Sequence, residues 1–141
     1  MPVSTVKSQS TSQERKSVLN ITKALSDPTR LRMLRLLIST GSELCVCEFV
    51  DTLQERLYNI SKHLKVLEQV GLIDGSKEGR WVYYSVIKPS DPFYESIHRL
   101  VSCVPGFDAL FDADLGRFND RMKLREDGRC RVGIQSRQLA E

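Results

Sequence analysis

The periodicity of the hydrophobic residues changes once along the chain, and this change limits what the chain can fold into. Over residues 56–70 the apolar residues recur at helical spacing, at Leu57, Ile60, Leu64 and Leu67. After Gly71 the sequence reads GLID-GSKEGR-WVYYSV, which is typical of a strand, a glycine-containing turn and a second strand. The middle of the chain is therefore predicted to be a helix followed directly by a two-stranded hairpin.

Further helical patterns lie on both sides of this unit. Residues 18–26 have apolar positions at helical spacing, and Asp27-Pro28 then interrupts the pattern and starts a second helix that ends near Gly41. A short third helix is predicted over residues 46–52. Beyond the hairpin, the sequence predicts one helix that begins at Pro92 and another over residues 112–125, and then a loose tail.

This order predicts a mostly α-helical fold with one β-hairpin, the layout of a winged helix-turn-helix. In such proteins the second helix of the motif lies in the major groove of DNA, and here that helix is residues 56–70. The expected organisation is a disordered leader at residues 1–17, a DNA-binding and dimerisation domain at residues 18–104, and a partly helical extension at residues 105–141.

The predicted DNA-binding residues lie on the polar side of the reading helix and in the turn of the hairpin. Asparagine pairs with adenine, lysine contacts guanine or phosphate, and basic residues in a wing contact phosphate. For several of these side chains an ordinary role as a solvated or core-edge residue is the alternative. The candidates are Tyr58, Asn59, Ser61, Lys62, His63, Lys65, Lys77 and Arg80.

Charge and composition agree with a DNA-binding protein but do not establish one. The 141 residues carry a net charge of only +3, yet basic residues concentrate at positions 20–38 and 117–137. Solvated helix faces would give the same pattern. No apolar run approaches the roughly 18 residues of a membrane span, and the N-terminus lacks a signal peptide. We therefore expect a cytoplasmic protein with no membrane partner and with reduced thiols.

Four stretches together resemble the ArsR family of bacterial metal-sensing winged-helix repressors. They are ALSDPTRLRMLRLL, ELCVCEFVDTL, ISKHLKVLEQVGLI and EGRWVYYSV, and they cover roughly residues 18–104. The resemblance implies a homodimer that binds double-stranded operator DNA of a resistance operon. It also implies that the first and last helices of the domain, residues 18–25 and 93–104, form the dimer interface.

The stretch ELCVCEF resembles the variant of this family that senses arsenite and antimonite, which implies ligands at Cys45 and Cys47. Paired thiolates select soft ions, so As(III) or Sb(III) is the expected inducer and no organic cofactor is expected. The family pattern has a third cysteine three residues later, where this chain has Val50. The third ligand is therefore Cys130, Cys103, or a water or hydroxide. Arginines on both sides of Cys130 favour its thiolate.

The spacing of the two cysteines predicts how an ion acts on the protein. Residues two apart on a regular helix point to nearly opposite sides, so the two thiols bind one ion only in a frayed or unwound first turn. Ion binding is therefore expected to distort the start of helix 46–52 and to shift the protein away from its DNA-competent form.

Other functions remain open at this point. The same fold accommodates a thiol redox switch that uses Cys45, Cys47 and Cys130, or a site for cadmium or lead. An enzyme is not expected, because oxidoreductase dithiols are usually two residues apart and the chain has no phosphate-binding loop and no set of catalytic residues. Plain packing of the cysteines in an unresponsive repressor is the remaining alternative.

Overall fold

The computed structural model describes residues 11–141, which form six α-helices and one antiparallel hairpin. The helices are α1 (Thr11–Ala24), α2 (Pro28–Thr40), α3 (Val46–Leu53), α4 (Leu57–Gln69), α5 (Pro92–Cys103) and α6 (Asp108–Met122). The strands are β1 (Ile73–Glu78) and β2 (Trp81–Val86), and a short 3-10 helix follows at Arg137–Leu139. The predicted fold class, a winged helix-turn-helix, is confirmed.

The boundaries of α2 have local causes in the sequence. The side chain of Asp27 accepts hydrogen bonds from the backbone N–H groups of Thr29 and Arg30, at 2.8 and 3.1 Å, and Pro28 occupies the first turn. At the other end Gly41 adopts a left-handed conformation with φ of 65° and donates to the carbonyl of Leu37. The helix therefore begins and ends where the sequence predicts.

Helices α3 and α4 form the helix-turn-helix, and the hairpin follows α4 as the wing. Ile60, Leu64 and Leu67 are buried in the core, as their spacing predicts. Strands β1 and β2 pair from Ile73 opposite Val86 to Glu78 opposite Trp81, and the turn between them contains Gly79. This arrangement leaves the outer face of α4 and the tip of the hairpin exposed on the protein surface.

Two helix boundaries differ from the sequence-based expectation. Helix α1 begins at Thr11, inside the stretch that the sequence assigned to a disordered leader, while residues 1–10 of that leader lie outside the described residues. Residues 12–17 of this helix are polar and exposed, so they carry no hydrophobic pattern that would have predicted a helix. Helix α6 spans Asp108–Met122 rather than residues 112–125.

The tail after α6 is packed on the protein, so the expectation of a loose tail was wrong. Helix α6 lies against α3, and buried ion pairs join it to the rest of the fold: Arg32 to Asp114 and Arg121 to Asp51, each at 2.7 Å. The Asp51 carboxylate also accepts hydrogen bonds from the backbone N–H groups of Gln135 and Ser136. These contacts join residues far apart in sequence, which local patterns do not reveal.

Among the described residues, no helix is both long enough and apolar enough to cross a membrane.

Candidate thiol site and nucleic-acid interface

Cys45 and Cys47 lie at the N-terminus of α3 but are not both inside the helix. Cys45 is the N-cap residue, with an extended backbone (φ −82°, ψ 164°), and Cys47 follows in the first turn. Both side chains belong to one buried cluster with Tyr83 and Cys130 although the first turn is intact. The rule that residues two apart diverge holds only within a regular helix, so unwinding is not needed to bring these thiols together.

Cys130 joins the two thiols from the tail after α6. Its Sγ lies 3.6 Å from Sγ of Cys47, and its backbone N–H donates to the hydroxyl of Tyr83 on β2 at 3.0 Å. The exposed fractions of Cys45, Cys47 and Cys130 are 1%, 6% and 0%. These three residues, called the thiol site below, are candidate ligands that converge within one chain.

The other candidate third ligand lies elsewhere. Cys103 is the last residue of α5 and its side chain is exposed, whereas the thiol site is buried between α3, β2 and the tail. Cys103 is therefore not brought together with Cys45 and Cys47 in this chain.

The environment shifts the pKa values of the three thiols in different directions. The hydrogen bond to Cys47 and burial raise the pKa of Cys45 well above its usual range. Because Cys47 accepts hydrogen bonds from both neighbours, its pKa is lowered to about 7. Burial raises the pKa of Cys130 to about 11, so the expectation that its flanking arginines favour the thiolate was wrong. Of these arginines, Arg129 is paired with Glu43 and Glu78.

A carboxylate and a guanidinium that the sequence reasoning did not single out border the thiol site. Glu48 is completely buried, and one of its oxygens lies within 4.8 Å of the sulfurs of Cys45 and Cys130. Arg125 holds this carboxylate through Nε and Nη2, each at 2.8 Å. The spacing between Cys45 and Glu48 was the available signal, because a Glu three residues after an N-cap often accepts the N–H of the cap residue.

The thiol site is connected to both parts of the winged helix-turn-helix. Leu44, just before Cys45, exchanges two backbone hydrogen bonds with Tyr84 of β2, at 2.8 and 3.0 Å. Arg129 reaches Glu78 at the end of β1. The end of the tail lies near the start of α4, where the backbone N–H of Tyr58 donates to a carbonyl of Glu141 at 3.4 Å.

Most of the predicted DNA-binding residues lie on an accessible surface. Tyr58 is 70% exposed, and Asn59 beside it is partly exposed. The exposed lysine and serine candidates on α4 continue this face, and the two basic candidates of the wing lie at the end of β1 and in the turn. These further residues are Ser61, Lys62, Lys65, Lys77 and Arg80.

His63 is the exception, because its side chain is buried and faces α2. Its Nδ1 lies 2.9 Å from Nη1 of Arg30, and its Nε2 lies 3.8 Å from the carboxylate of Asp27. Burial lowers the pKa of His63, which favours the neutral imidazole as a hydrogen-bond acceptor for Arg30. A residue in this position supports α4 from behind and does not extend toward a ligand on the exposed face.

Comparison with known proteins assigns the fold to a family. A family model described as a helix-turn-helix domain matches residues 25–75. An uncharacterised helix-turn-helix transcriptional regulator of Methanocaldococcus jannaschii is 43% identical over 67 residues, which are 48% of this chain and 74% of that protein. The arsenical resistance operon repressor of Escherichia coli is 41% identical over 66 residues, 47% of this chain and 56% of that repressor.

The chain belongs to the ArsR family of winged-helix transcriptional regulators. The predicted family is thereby confirmed, and members of the ArsR family are DNA-binding regulators rather than enzymes. The chain spans 48% and 56% of the length of two arsenic resistance regulators of Pseudomonas putida that it matches.

Two further proteins are similar to this chain, one in sequence and one in structure. The cadmium resistance regulatory protein CadC of Listeria innocua is 33% identical over 84 residues, 60% of this chain and 70% of CadC. Among solved structures, HlyU from Vibrio cholerae superposes with a TM-score of 0.53 at 26% identity, covering 62% of this chain and 90% of HlyU.

Proposed function

We propose that this protein represses a resistance operon by binding its operator as a homodimer, and that it releases the DNA when As(III) or Sb(III) binds the thiol site. The observation that carries the proposal is the convergence of three buried thiols, those of Cys45, Cys47 and Cys130, at the first helix of the helix-turn-helix. The relatives named as arsenical resistance regulators support the same ligand class.

The chemistry of the thiol site favours a trivalent metalloid. Arsenous acid is neutral, and it exchanges three hydroxyl groups for three thiols: three As–O bonds break, three As–S bonds form, and each thiol proton leaves with a hydroxyl as water. The bound product is therefore also neutral. A divalent ion that displaces three protons leaves a net negative charge on the complex, which is costly at residues that are at least 94% buried.

The exposed face of α4 and the tip of the wing are the proposed DNA interface. Asn59 and Lys62 are the proposed base-reading residues, and Tyr58, Ser61 and Lys65 flank them. Lys77 and Arg80 of the wing are the proposed phosphate contacts. His63 is left out of the interface because it packs against α2.

The proposed route of induction runs through contacts that already exist, not through unwinding of α3. An ion bound by Cys45, Cys47 and Cys130 fixes the tail against α3, and the tail contacts both the wing and the start of α4. A shift of the DNA-competent form from 99% to 1% requires a difference in binding free energy of about 5.5 kcal/mol between the two forms. Three metal–thiolate bonds are a plausible source of this energy.

Exposed apolar residues on α1 and α5 support the homodimer. Val18 and Leu19 of α1 and Leu100 of α5 are 37%, 59% and 46% exposed. Helix α1 is also polar and exposed along most of its length before Ile21, so an isolated chain supports it poorly. A second copy that covers α1 and α5 would bury these residues.

Oxidation is a second candidate signal because the sulfurs of Cys47 and Cys130 are only 3.6 Å apart. Peroxide would oxidise the two thiols to a disulfide, and the two thiol protons would leave with the peroxide oxygens as two molecules of water. Cadmium or lead is the other alternative ion, and the cadmium resistance regulators among the relatives support it.

Fluorescence anisotropy of a labelled promoter fragment tests these alternatives. The reduced protein is bound to the fragment and then titrated separately with arsenite, antimonite, cadmium, lead, zinc and peroxide. Release by arsenite and antimonite at lower concentrations than by the divalent ions is the expected result. Release by cadmium or lead alone, or by peroxide alone, would contradict the proposed inducer while leaving the repressor intact.

Serine variants test which thiols carry the response. Cys45→Ser, Cys47→Ser and Cys130→Ser are each expected to bind the promoter fragment like the wild type and to lose arsenite-dependent release, because a hydroxyl does not replace a thiolate ligand for a soft ion. Cys103→Ser is the matched control and should respond normally. Normal release by Cys130→Ser would remove that residue from the site.

A further inference from the structure

We propose that Arg125 determines the ligand specificity of the thiol site by keeping Glu48 from serving as a fourth ligand. This inference rests on the proposed function, in which Cys45, Cys47 and Cys130 bind a trivalent metalloid. It concerns a different question, namely why an ion that needs three ligands is favoured over one that needs four.

Glu48 is placed where a fourth ligand would lie. Its side chain is completely buried, and a carboxylate oxygen is within 4.8 Å of the sulfurs of both Cys45 and Cys130. Zinc prefers four ligands in tetrahedral geometry and accepts carboxylate oxygens together with thiolates. With Glu48 free, its carboxylate and the thiols of Cys45 and Cys130 would offer zinc or cadmium three ligand atoms within 4.8 Å of one another. The thiol of Cys47, 3.6 Å from that of Cys130, would be the fourth.

Arg125 occupies both oxygens of that carboxylate. Its Nε donates to Oε2 and its Nη2 to Oε1, each at 2.8 Å, while the backbone N–H of Cys45 donates to Oε1 at 2.9 Å. Paired, charge-assisted hydrogen bonds of this kind are among the strongest in proteins. Oε1 thus already accepts two hydrogen bonds, so coordination through Oε1 would break one of them and weaken the pairing of a largely buried guanidinium.

Arg125 is itself fixed in place by contacts outside the ion pair. Its Nη2 also donates to the carbonyl of Glu43 at 2.7 Å, and its Nη1 donates to the carbonyl of Gly128 at 3.2 Å. The guanidinium lies 5.7 Å from the centre of the Tyr83 ring. Glu48 therefore cannot move toward a bound ion while it remains paired with Arg125.

These contacts act differently on the two classes of ion. Arsenite uses three thiols and has no need for Glu48, so the ion pair does not oppose its binding. A divalent ion either remains with three protein ligands or breaks the ion pair to gain the fourth. Arg125 thus lowers the affinity for divalent ions without lowering that for arsenite. If the ion pair between Arg125 and Glu48 were purely structural, substitution of Arg125 would lower the affinities for both ions together, because Cys130 would lose its position.

The test measures cadmium and arsenite affinities of the full chain by the ultraviolet charge-transfer absorption of the thiolate complexes. All proteins carry Cys103→Ser, so that the exposed thiol does not contribute. Arg125→Lys keeps the positive charge but cannot hold both oxygens of Glu48. Arg129→Lys is the matched control, because Arg129 lies in the same segment and pairs with Glu43 and Glu78 instead.

Arg125→Lys is expected to raise the ratio of cadmium to arsenite affinity about tenfold, the scale on which outer-shell partners affect metal sites. Arg129→Lys should leave this ratio unchanged, and adding Glu48→Gln to Arg125→Lys should restore the wild-type ratio. An unchanged ratio, an equal fall of both affinities, or a gain that persists in the double variant would each overturn the role of Arg125.

The single variant Glu48→Gln keeps the inference testable if Arg125→Lys does not fold. It is expected to keep the wild-type ratio of cadmium to arsenite affinity, even where loss of the ion pair lowers both, because Glu48 is not a ligand while Arg125 holds it. A selective loss of cadmium affinity would show that Glu48 already coordinates and would overturn the inference. Failure of the wild type to bind arsenite would instead overturn the proposed function, whatever the variants do.

Discussion

At the scale of single residues, the position of Cys45 decides the geometry of the thiol site. As the N-cap of α3 it has an extended backbone, so its side chain does not follow the angular spacing of the helix. Cys45 and Cys47 therefore lie in one buried cluster without any loss of helical structure. The resemblance implies that both are ligands, and the sequence already predicts that the helix begins at Val46. The geometry was missed because the rule for two residues inside a regular helix was applied although Cys45 precedes the helix.

The proposed base contacts of Asn59 and Lys62 can be tested by substitution. Asn59→Ala should weaken binding to the native operator by about 1–3 kcal/mol, because one bidentate contact with a base is lost. Lys62→Ala should weaken binding and, where the contact is to phosphate, lower the slope of log affinity against log salt concentration by about one. Anisotropy titrations at several salt concentrations measure both effects.

Gln69→Ala is the matched control for these variants, because Gln69 is an exposed polar residue at the far end of the same helix. It should bind the operator like the wild type. Unchanged operator affinity in both Asn59→Ala and Lys62→Ala would mean that a different surface reads the DNA.

At the scale of elements, α6 and the tail after it bring Cys130 to the two cysteines at the start of α3. Buried pairs of arginine and carboxylate connect α6 and the tail to α2 and α3, and Cys130 follows them along the chain. Removing one partner of such a pair leaves an uncompensated buried charge. The attachment of this segment therefore depends on a small number of charged residues.

Asp51→Asn tests this attachment. Asp51 accepts hydrogen bonds from Arg121 and from two backbone N–H groups of the tail, and the amide cannot replace its charge. We expect the free energy of unfolding to fall by about 3 kcal/mol, measured by chemical denaturation. Asp120→Asn is the control, since Asp120 is exposed and pairs with the exposed Lys123 at 3.3 Å, and it should change stability by less than about 1 kcal/mol.

The sequence predicts α4 and the hairpin but not the packing of the tail, and the reasons are physical. Leu57, Ile60, Leu64 and Leu67 repeat at helical spacing, so α4 and the hairpin after it follow from local patterns. The packing of the tail depends on contacts such as Arg121 with Asp51, which are 70 residues apart and have no local signature. The sequence therefore left Cys130, Cys103 and a water or hydroxide as candidates for the third ligand. Only the fold separates the buried Cys130 from the exposed Cys103.

At the scale of the whole molecule, the exposed apolar residues of α1 and α5 predict a dimer. Leu19→Glu should shift the protein toward monomers in sedimentation analysis and weaken operator binding strongly, because two half-sites are then no longer bound together. The affinity for arsenite should be preserved, since all three thiols come from one chain. Leu124→Glu, which alters an exposed leucine after α6, is the control and should remain dimeric.

The most direct test of the account is X-ray absorption spectroscopy at the arsenic edge, on the reduced full chain with one equivalent of arsenite. Coordination of arsenic by three sulfurs and no oxygen is the predicted result, with Cys130→Ser changing it to two sulfurs and one oxygen. Two sulfurs and one oxygen in the wild type would contradict the account, because Cys130 would then lie beside the bound metalloid without binding it.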